Sequence, residues 1–196
     1  MTTKQTKLAV LFPGIGYTCD RPLLYYAGRM LQRLDYQVVP LAYGGFPPNI
    51  KGDALKMLEA FFSALDQTEK QLKPLDFNAY NDILFIGKSV GTRVALQYAH
   101  DQKLNARFAL LTPVEQTFDQ FPSTDHLNAI VFHGTNDPWA RTETIITACQ
   151  ERNLPLYTFA DANHSLETGD VDTDIRNLQQ VMDQLRRFCE GQPSSL

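Results

Sequence analysis

Short apolar runs rich in aliphatic and β-branched residues alternate along the chain with longer segments whose apolar positions recur every three or four residues. Uninterrupted apolar runs suit strands buried on both faces, and helical stripes between them suit helices laid across those faces. The alternation predicts an α/β fold, a three-layer α/β/α sandwich around a mostly parallel six-stranded sheet. Strands are expected near residues 8–12, 37–42, 82–87, 106–111, 129–133 and 154–159, and helices over 22–34, 52–72, 90–100, 142–152 and 172–188. Two stripes stand out. Leu55, Leu58, Phe61, Phe62 and Leu65 form one, Ile175, Leu178, Val181, Met182 and Leu185 the other, and both read as sheet-facing core. Residues 42–51 read as loop and 191–196 as a frayed tail. No repeat or linker divides the sequence, so residues 1–196 are expected to form one domain, a length that a single core serves.

Composition narrows the class. Hydrophobic residues make up 43% and charged residues 20%, enough apolar content for a sizeable core, which argues against intrinsic disorder. A net charge of −4, evenly scattered, is too mild for a nucleic-acid or anionic-membrane surface, and neither partner is expected. The first apolar run stops at Pro13-Gly14, too soon for a signal peptide or a membrane span. Cys19, Cys149 and Cys189 lie far apart and cannot close a disulfide framework, so the reduced cytoplasm is the expected compartment. Neither a cysteine–histidine cluster nor H-E-x-x-H occurs, and no metal is expected.

The run 83–86 leads straight into Gly87-Lys88-Ser89-Val90-Gly91-Thr92, with a helical segment after it. Strand, tight turn and helix around G-x-S-x-G describe a nucleophile elbow: the serine sits on a strained turn, and a glycine two residues to either side avoids collision with the neighbouring strand and helix. A phosphate loop would need glycine where Asp82 stands. A plain helix cap is the other reading of Ser89. Lys88, in the middle of the turn, reads as a solvated surface charge, with help to an anionic substrate as its functional alternative.

Candidates for an acid and then a base follow Ser89 along the chain. Asp137 lies in the turn-rich loop after the run 129–133, where it orients a histidine or forms an Asx turn before Pro138. His164 lies on a loop ahead of the last helix; of the other histidines, His100 ends a helix, His126 lies in a polar loop, and His133 ends a strand and reads as buried packing. Glu115 is the fallback acid. An oxyanion hole needs two donors. The amide after the nucleophile nominates Val90, and the loop Phe12-Pro13-Gly14-Ile15-Gly16-Tyr17 supplies Ile15, with Gly14 next. The same loop is no dinucleotide fingerprint, because Cys19 takes the place of the third glycine.

With these segments assembled, the chain resembles the α/β-hydrolase superfamily over nearly its whole length, and most of all its small, lidless bacterial members. FPGIGYTCDRPLLYYA, IGKSVGT, HGTNDPWA and ANHSLE carry the resemblance. It implies an α/β-hydrolase fold without a cap domain, with Ser89 as nucleophile, Asp137 as acid, His164 as base, Ile15 and Val90 at the oxyanion, and no cofactor. Pro13-Gly14 replaces the His-Gly of many relatives, and the short interval after Leu111 leaves little room for a lid. The resemblance implies a serine hydrolase of small or medium carboxylic esters. Tyr17, Tyr43, Pro113 and Trp139 sit on loops that would line its open site. A thioesterase or peptidase on the same residues, or a non-catalytic binding scaffold, are the alternatives.

Overall fold

The apolar runs become strands: β1 (Lys7–Phe12), β2 (Gln37–Pro40), β3 (Asp82–Lys88), β4 (Arg107–Leu111), β5 (Ala129–Gly134) and β6 (Leu156–Phe159). A computed structural model describes residues 7–50, 52–119 and 127–191, so His126 lies outside the described residues. Between the strands run α1 (Pro22–Arg33), α2 (Ala54–Leu72), α3 (Val90–Asp101), α4 (Thr142–Glu151) and α5 (Val171–Cys189). Each element lies within two residues of its expected bounds, the start of α2 at 54 instead of 52 being among the largest offsets. All pairings in the sheet are parallel, in the order β2-β1-β3-β4-β5-β6.

Side chains alternate across the sheet because successive strand residues point to opposite faces. Leu8, Val10, Phe12, Phe85, Phe108, Leu110 and Val131 join the core under α2, α3 and α4. Ala9, Leu11, Leu84, Ile86, Ala109, Ile130 and Phe132 join the core under α1 and α5. Helices therefore cover both faces of the sheet. The chain reverses its winding direction between β1 and β3, and in open parallel sheets such a switch point leaves a crevice above the carboxyl ends of the strands. Asp82, the residue that breaks the phosphate-loop pattern, sits at the opposite end of β3 and pairs with Arg107 Nη2 at 2.7 Å.

One expected stripe needs correction. On α2, Leu55 is 74% exposed and Phe62 58% exposed, while Ala60, Phe61, Ala64, Thr68 and Leu72 face inward. Adjacent helical residues are about 100° apart, so Phe61 and Phe62 cannot share one narrow face. The inner row contains two alanines and a threonine, which give little hydrophobic signal. On α5, Val181 and Leu185 are buried as expected and Leu178 and Met182 pack beside them, but Ile175 is exposed. Among the described residues no helix is long and apolar enough to cross a membrane.

Candidate active site

Where β3 ends and α3 begins, Ser89 adopts φ 56° and ψ −125°, a conformation that L-residues hold only under constraint. The constraint is visible. Its N–H donates to Leu111 O of β4 at 3.0 Å, and its carbonyl accepts from Thr92 N at 3.0 Å and from Thr92 Oγ1 at 2.6 Å. A Cβ on Gly87 would meet Thr92 Cα at 2.5 Å, and one on Gly91 would meet Phe12 O at 2.3 Å, so both glycines of the elbow are required by backbone contact. The Ser89 side chain makes no capping bond to α3, which removes the plain cap reading.

The loops that carry Asp137 and His164 are stitched to one another by hydrogen bonds from their backbones. Asn136 N–H donates to Ala162 O at 2.9 Å, and Asp161 N–H donates to Thr135 Oγ1 at 2.9 Å. Across this seam His164 Nδ1 lies 2.6 Å from Asp137 Oδ2. A carboxylate only accepts, so the contact places the proton on Nδ1 and leaves Nε2 free as a base. Asp137 Oδ1 also accepts from Trp139 N–H at 2.8 Å. The Asx turn and the histidine contact thus belong to the same carboxylate, whose side chain has no exposed surface. Among the described residues no hydrogen bond joins Ser89 Oγ to His164. The two are brought to one place by β4: Leu111 O holds Ser89 N–H, and the next residue, Thr112, donates its hydroxyl to His164 O at 3.0 Å. Thr112 is fully buried with φ 44°, and no sequence motif announces it, whereas Thr92 lies within the elbow stretch itself.

Gly134 makes the seam possible. A Cβ there would stand 2.3 Å from Ala162 O and 2.6 Å from Asn163 O, backbone atoms of the His164 loop. Gly134→Ala is therefore expected to cost about 1–3 kcal/mol of stability, read in a thermal melt as about 2–4 °C of Tm per kcal/mol. It should also lower any hydrolytic rate by moving His164 off Asp137. A variant with parental Tm and rate would show that the loop relaxes freely.

Burial is the main influence on the His164 imidazole and holds its pKa below the ordinary 6.5; the Asp137 bond and charge oppose it, and Lys88 and His133 reinforce it. A base works in its neutral form, so the acid limb of a kcat/KM–pH profile is expected below pH 6.5, and a midpoint above it would contradict the assignment. His133 is buried as anticipated, with Nε2 3.0 Å from Thr142 Oγ1, and burial lowers its pKa as well. For both histidines the unfolded chain binds protons more readily than the folded one, so folding stability falls as pH drops below 6.5.

Of the oxyanion candidates, Val90 follows Ser89 in the chain, and Gly14, the neighbour of Ile15, lies against it, a Cβ there standing 3.1 Å from Ser89 Cβ. Val90 is the first residue of α3, where an amide has no intrahelical acceptor. Gly14 N–H donates to Tyr17 O at 3.0 Å and Tyr17 N–H to Gly14 O at 3.2 Å; this bridge occupies the Gly14 amide and leaves that of Ile15 with no backbone acceptor among the described residues. Of the four lining candidates, Trp139 is 42% exposed, whereas Pro113 is buried. Tyr43 hydroxyl lies 2.7 Å from Thr68 Oγ1, and Tyr17 hydroxyl accepts from Leu23 N–H at 3.1 Å. Glu115 is engaged elsewhere, its Oε1 accepting from Arg141 N and Nε, each at 3.0 Å. Lys88 requires the plainest correction, because it is 0% exposed and not a solvated charge. Burial pushes the Cys19 thiol up to about 12, and its Sγ lies 3.3 Å from Leu41 O. Among the described residues no three His, Cys, Asp or Glu side chains are grouped to hold a metal.

Comparison with known proteins bears on the whole chain. The sequence pattern of an alpha/beta hydrolase domain family matches residues 6–190. This chain belongs to that α/β-hydrolase family. No curated protein matches it. Among solved structures it is similar to Est1E of Butyrivibrio proteoclasticus with ferulic acid bound, at 15% identity over 97% of this chain and 91% of that one, with a TM-score of 0.66. An alpha-beta serine hydrolase homologue from Coxiella burnetii is 13% identical over 91% and 84% of the two chains, TM-score 0.64. A lidless α/β serine hydrolase from Xanthomonas campestris is 16% identical over 98% and 85%, TM-score 0.57. Identities this low establish a shared fold, and the chemistry rests on the residues above.

Proposed function

We propose that this α/β hydrolase cleaves small or medium carboxylic esters through an acyl-enzyme on Ser89. The observation that carries the reading is the 2.6 Å contact of His164 Nδ1 with Asp137, at the sheet edge where Ser89 is held at φ 56°. Ser89 Oγ attacks the ester carbonyl while His164 Nε2 takes its proton, and the Ile15 and Val90 amides stabilise the oxyanion. Collapse expels the alcohol, which receives the proton from His164. Water then attacks the acyl-enzyme, gives its proton to Nε2 and releases the acid, and Ser89 recovers its hydrogen. The steps use no metal or organic cofactor.

A mostly apolar hollow of about 170 Å³ supports an apolar group of modest size. Pro22, Leu23, Leu166, Val171, Ile175 and Leu178 line it together with Glu167 and Asp174, beside Ser165, the residue after His164. A larger hollow of about 560 Å³ lies between Glu115 and α4; neither hollow includes a residue of the proposed triad, and the place of Ser165 next to His164 makes the smaller one the better choice. The partner is accordingly a small-molecule ester, with neither nucleic acid nor a membrane.

Intact mass after exposure to a fluorophosphonate tests the reading. One adduct on the parent, absent from Ser89→Ala, is the expected result, followed by highest kcat/KM on esters when thioesters and aminopeptidase substrates are assayed beside them. A folded parent that takes no adduct would favour the non-catalytic scaffold.

A further inference from the structure

Lysine is almost never fully buried, because its ammonium loses its hydration there. Lys88 is fully buried, one residue before the nucleophile. It follows Leu84 and Ile86 at a spacing of two on β3, so its side chain enters the core shared with α1 and α5. There its Nζ lies over the ring of Tyr17, 4.8 Å from the centroid. Tyr17 is in turn pinned from several directions. Its hydroxyl accepts from Leu23 N–H at the start of α1, and its backbone closes the bridge with Gly14. Gly14 abuts the nucleophile, since a Cβ placed on it would lie 3.1 Å from Ser89 Cβ and 3.2 Å from Lys88 O. Between the two ends of this bridge stands Ile15, whose amide is the second oxyanion donor in the proposed mechanism.

We infer that the Lys88–Tyr17 contact is a positioning device: an ammonium built into the elbow seats the oxyanion loop, residues 13–17, against Ser89 and so sets the aim of the Ile15 amide. The inference rests on the serine-hydrolase reading. Lys88 is a positioning residue here, acting on the reaction through Tyr17. A cation held over an aromatic face is most strongly attracted where water is excluded, and the full burial of Lys88 provides that condition. One residue therefore ties donor and nucleophile together: Ser89 is its covalent neighbour, and Tyr17 is its ring partner. The same charge also bears on His164. His164 touches Asp137 of the β5–α4 loop and feels the charges of His133 on β5 and Lys88 on β3; Asp137 favours the imidazolium, while Lys88 and His133 disfavour it.

The test compares parent, Lys88→Met, Lys88→Arg, Tyr17→Leu and the Lys88→Met/Tyr17→Leu double variant on the best ester. Misplacing a donor by about 1 Å costs up to about 100-fold in rate, so Lys88→Met and Tyr17→Leu are each expected to lower kcat by roughly 10- to 100-fold with KM within about twofold. The double variant should lose no more than the worse single, because both break one contact. Lys88→Arg, which keeps the cation, should recover most of kcat. Lys88→Met should also move the acid limb of the pH profile upward, a shift that simple loss of packing would not produce. Parental kcat in folded Lys88→Met, or multiplicative losses in the double variant, would overturn the inference. If Lys88→Met does not fold, parental kcat in Tyr17→Leu overturns it instead, since that ring is only half-buried. A parent with neither esterase activity nor a fluorophosphonate adduct defeats the serine-hydrolase reading and this inference with it; an active parent with unaffected variants defeats this inference alone.

Discussion

Ser89→Ala is expected to lower kcat on the best ester by about 10⁴ to 10⁶, with little change in Tm. Nucleophile and base act as a unit, so removing the serine leaves only the residual catalysis of binding and the oxyanion amides. The structure makes the second half of the expectation specific. The Ser89 backbone is held by Leu111 O, Thr92 N and Thr92 Oγ1, none of which involves the hydroxyl. Its side chain caps nothing. A substitution that removes no buried contact usually stays within about 0.5 kcal/mol. Thermal melts and steady-state kinetics on the same preparation check both parts. A large fall in Tm would mean that the hydroxyl supports the elbow; retained activity would mean that the nucleophile is another group.

Asp137→Asn is expected to lower kcat by about 10⁴ while leaving the protein folded. The reason lies in how the carboxylate is used. Oδ1 accepts from Trp139 N–H and Oδ2 accepts from His164 Nδ1–H, so the site demands two acceptors on one side chain. Asparagine offers one acceptor oxygen and one amide that only donates. If the oxygen stays with Trp139, the amide faces Nδ1 and drives the proton to Nε2, which is then no longer a base. If the amide faces Trp139 instead, two donors confront each other and the Asx turn is lost. The sign of the pH effect follows as well. The bond to Asp137 and its charge both raise the His164 pKa, so the variant's residual activity should have its acid limb at still lower pH than the parent's. Activity within tenfold of the parent would remove Asp137 from the mechanism, and Glu115 would need to be tested in its place.

Much of the fold was legible because buried parallel strands need side chains that are apolar on both faces. Leu8 to Phe12 and Ile83 to Ile86 carry that requirement openly, and their neighbours on the sheet merely repeat it. The α2 stripe misled for an equally physical reason: Leu55 and Phe62 are apolar but outward, while the residues that face inward include Ala60, Ala64 and Thr68. Helix period shows that a face exists, and only packing against α3 and the sheet shows which one is turned in. Lys88 was misread because charge was weighed above position. β3 runs through it, so the two-residue alternation that buries Leu84 and Ile86 extends to Lys88.

What the sequence alone determined was the alternation of elements and the local chemistry at their ends. Gly87, Ser89 and Gly91 define an elbow within five residues, since the requirement for close backbone contact is satisfied by glycine and by nothing larger. What the tertiary structure decided was every relation between segments distant in the chain. Asp137 and His164 meet because Gly134 lets the Ala162 and Asn163 carbonyls approach its own backbone. Ser89 and His164 come to the same edge because β4 lies beside β3, and its last residue, Leu111, and the one after it, Thr112, hold them. The loop of residues 13–17 reaches Ser89 because β1 pairs with β3 and Tyr17 packs under the Lys88 ammonium. Residue type and spacing express local geometry directly, whereas contacts of this kind depend on strand order and register, which arise only when the whole sheet assembles.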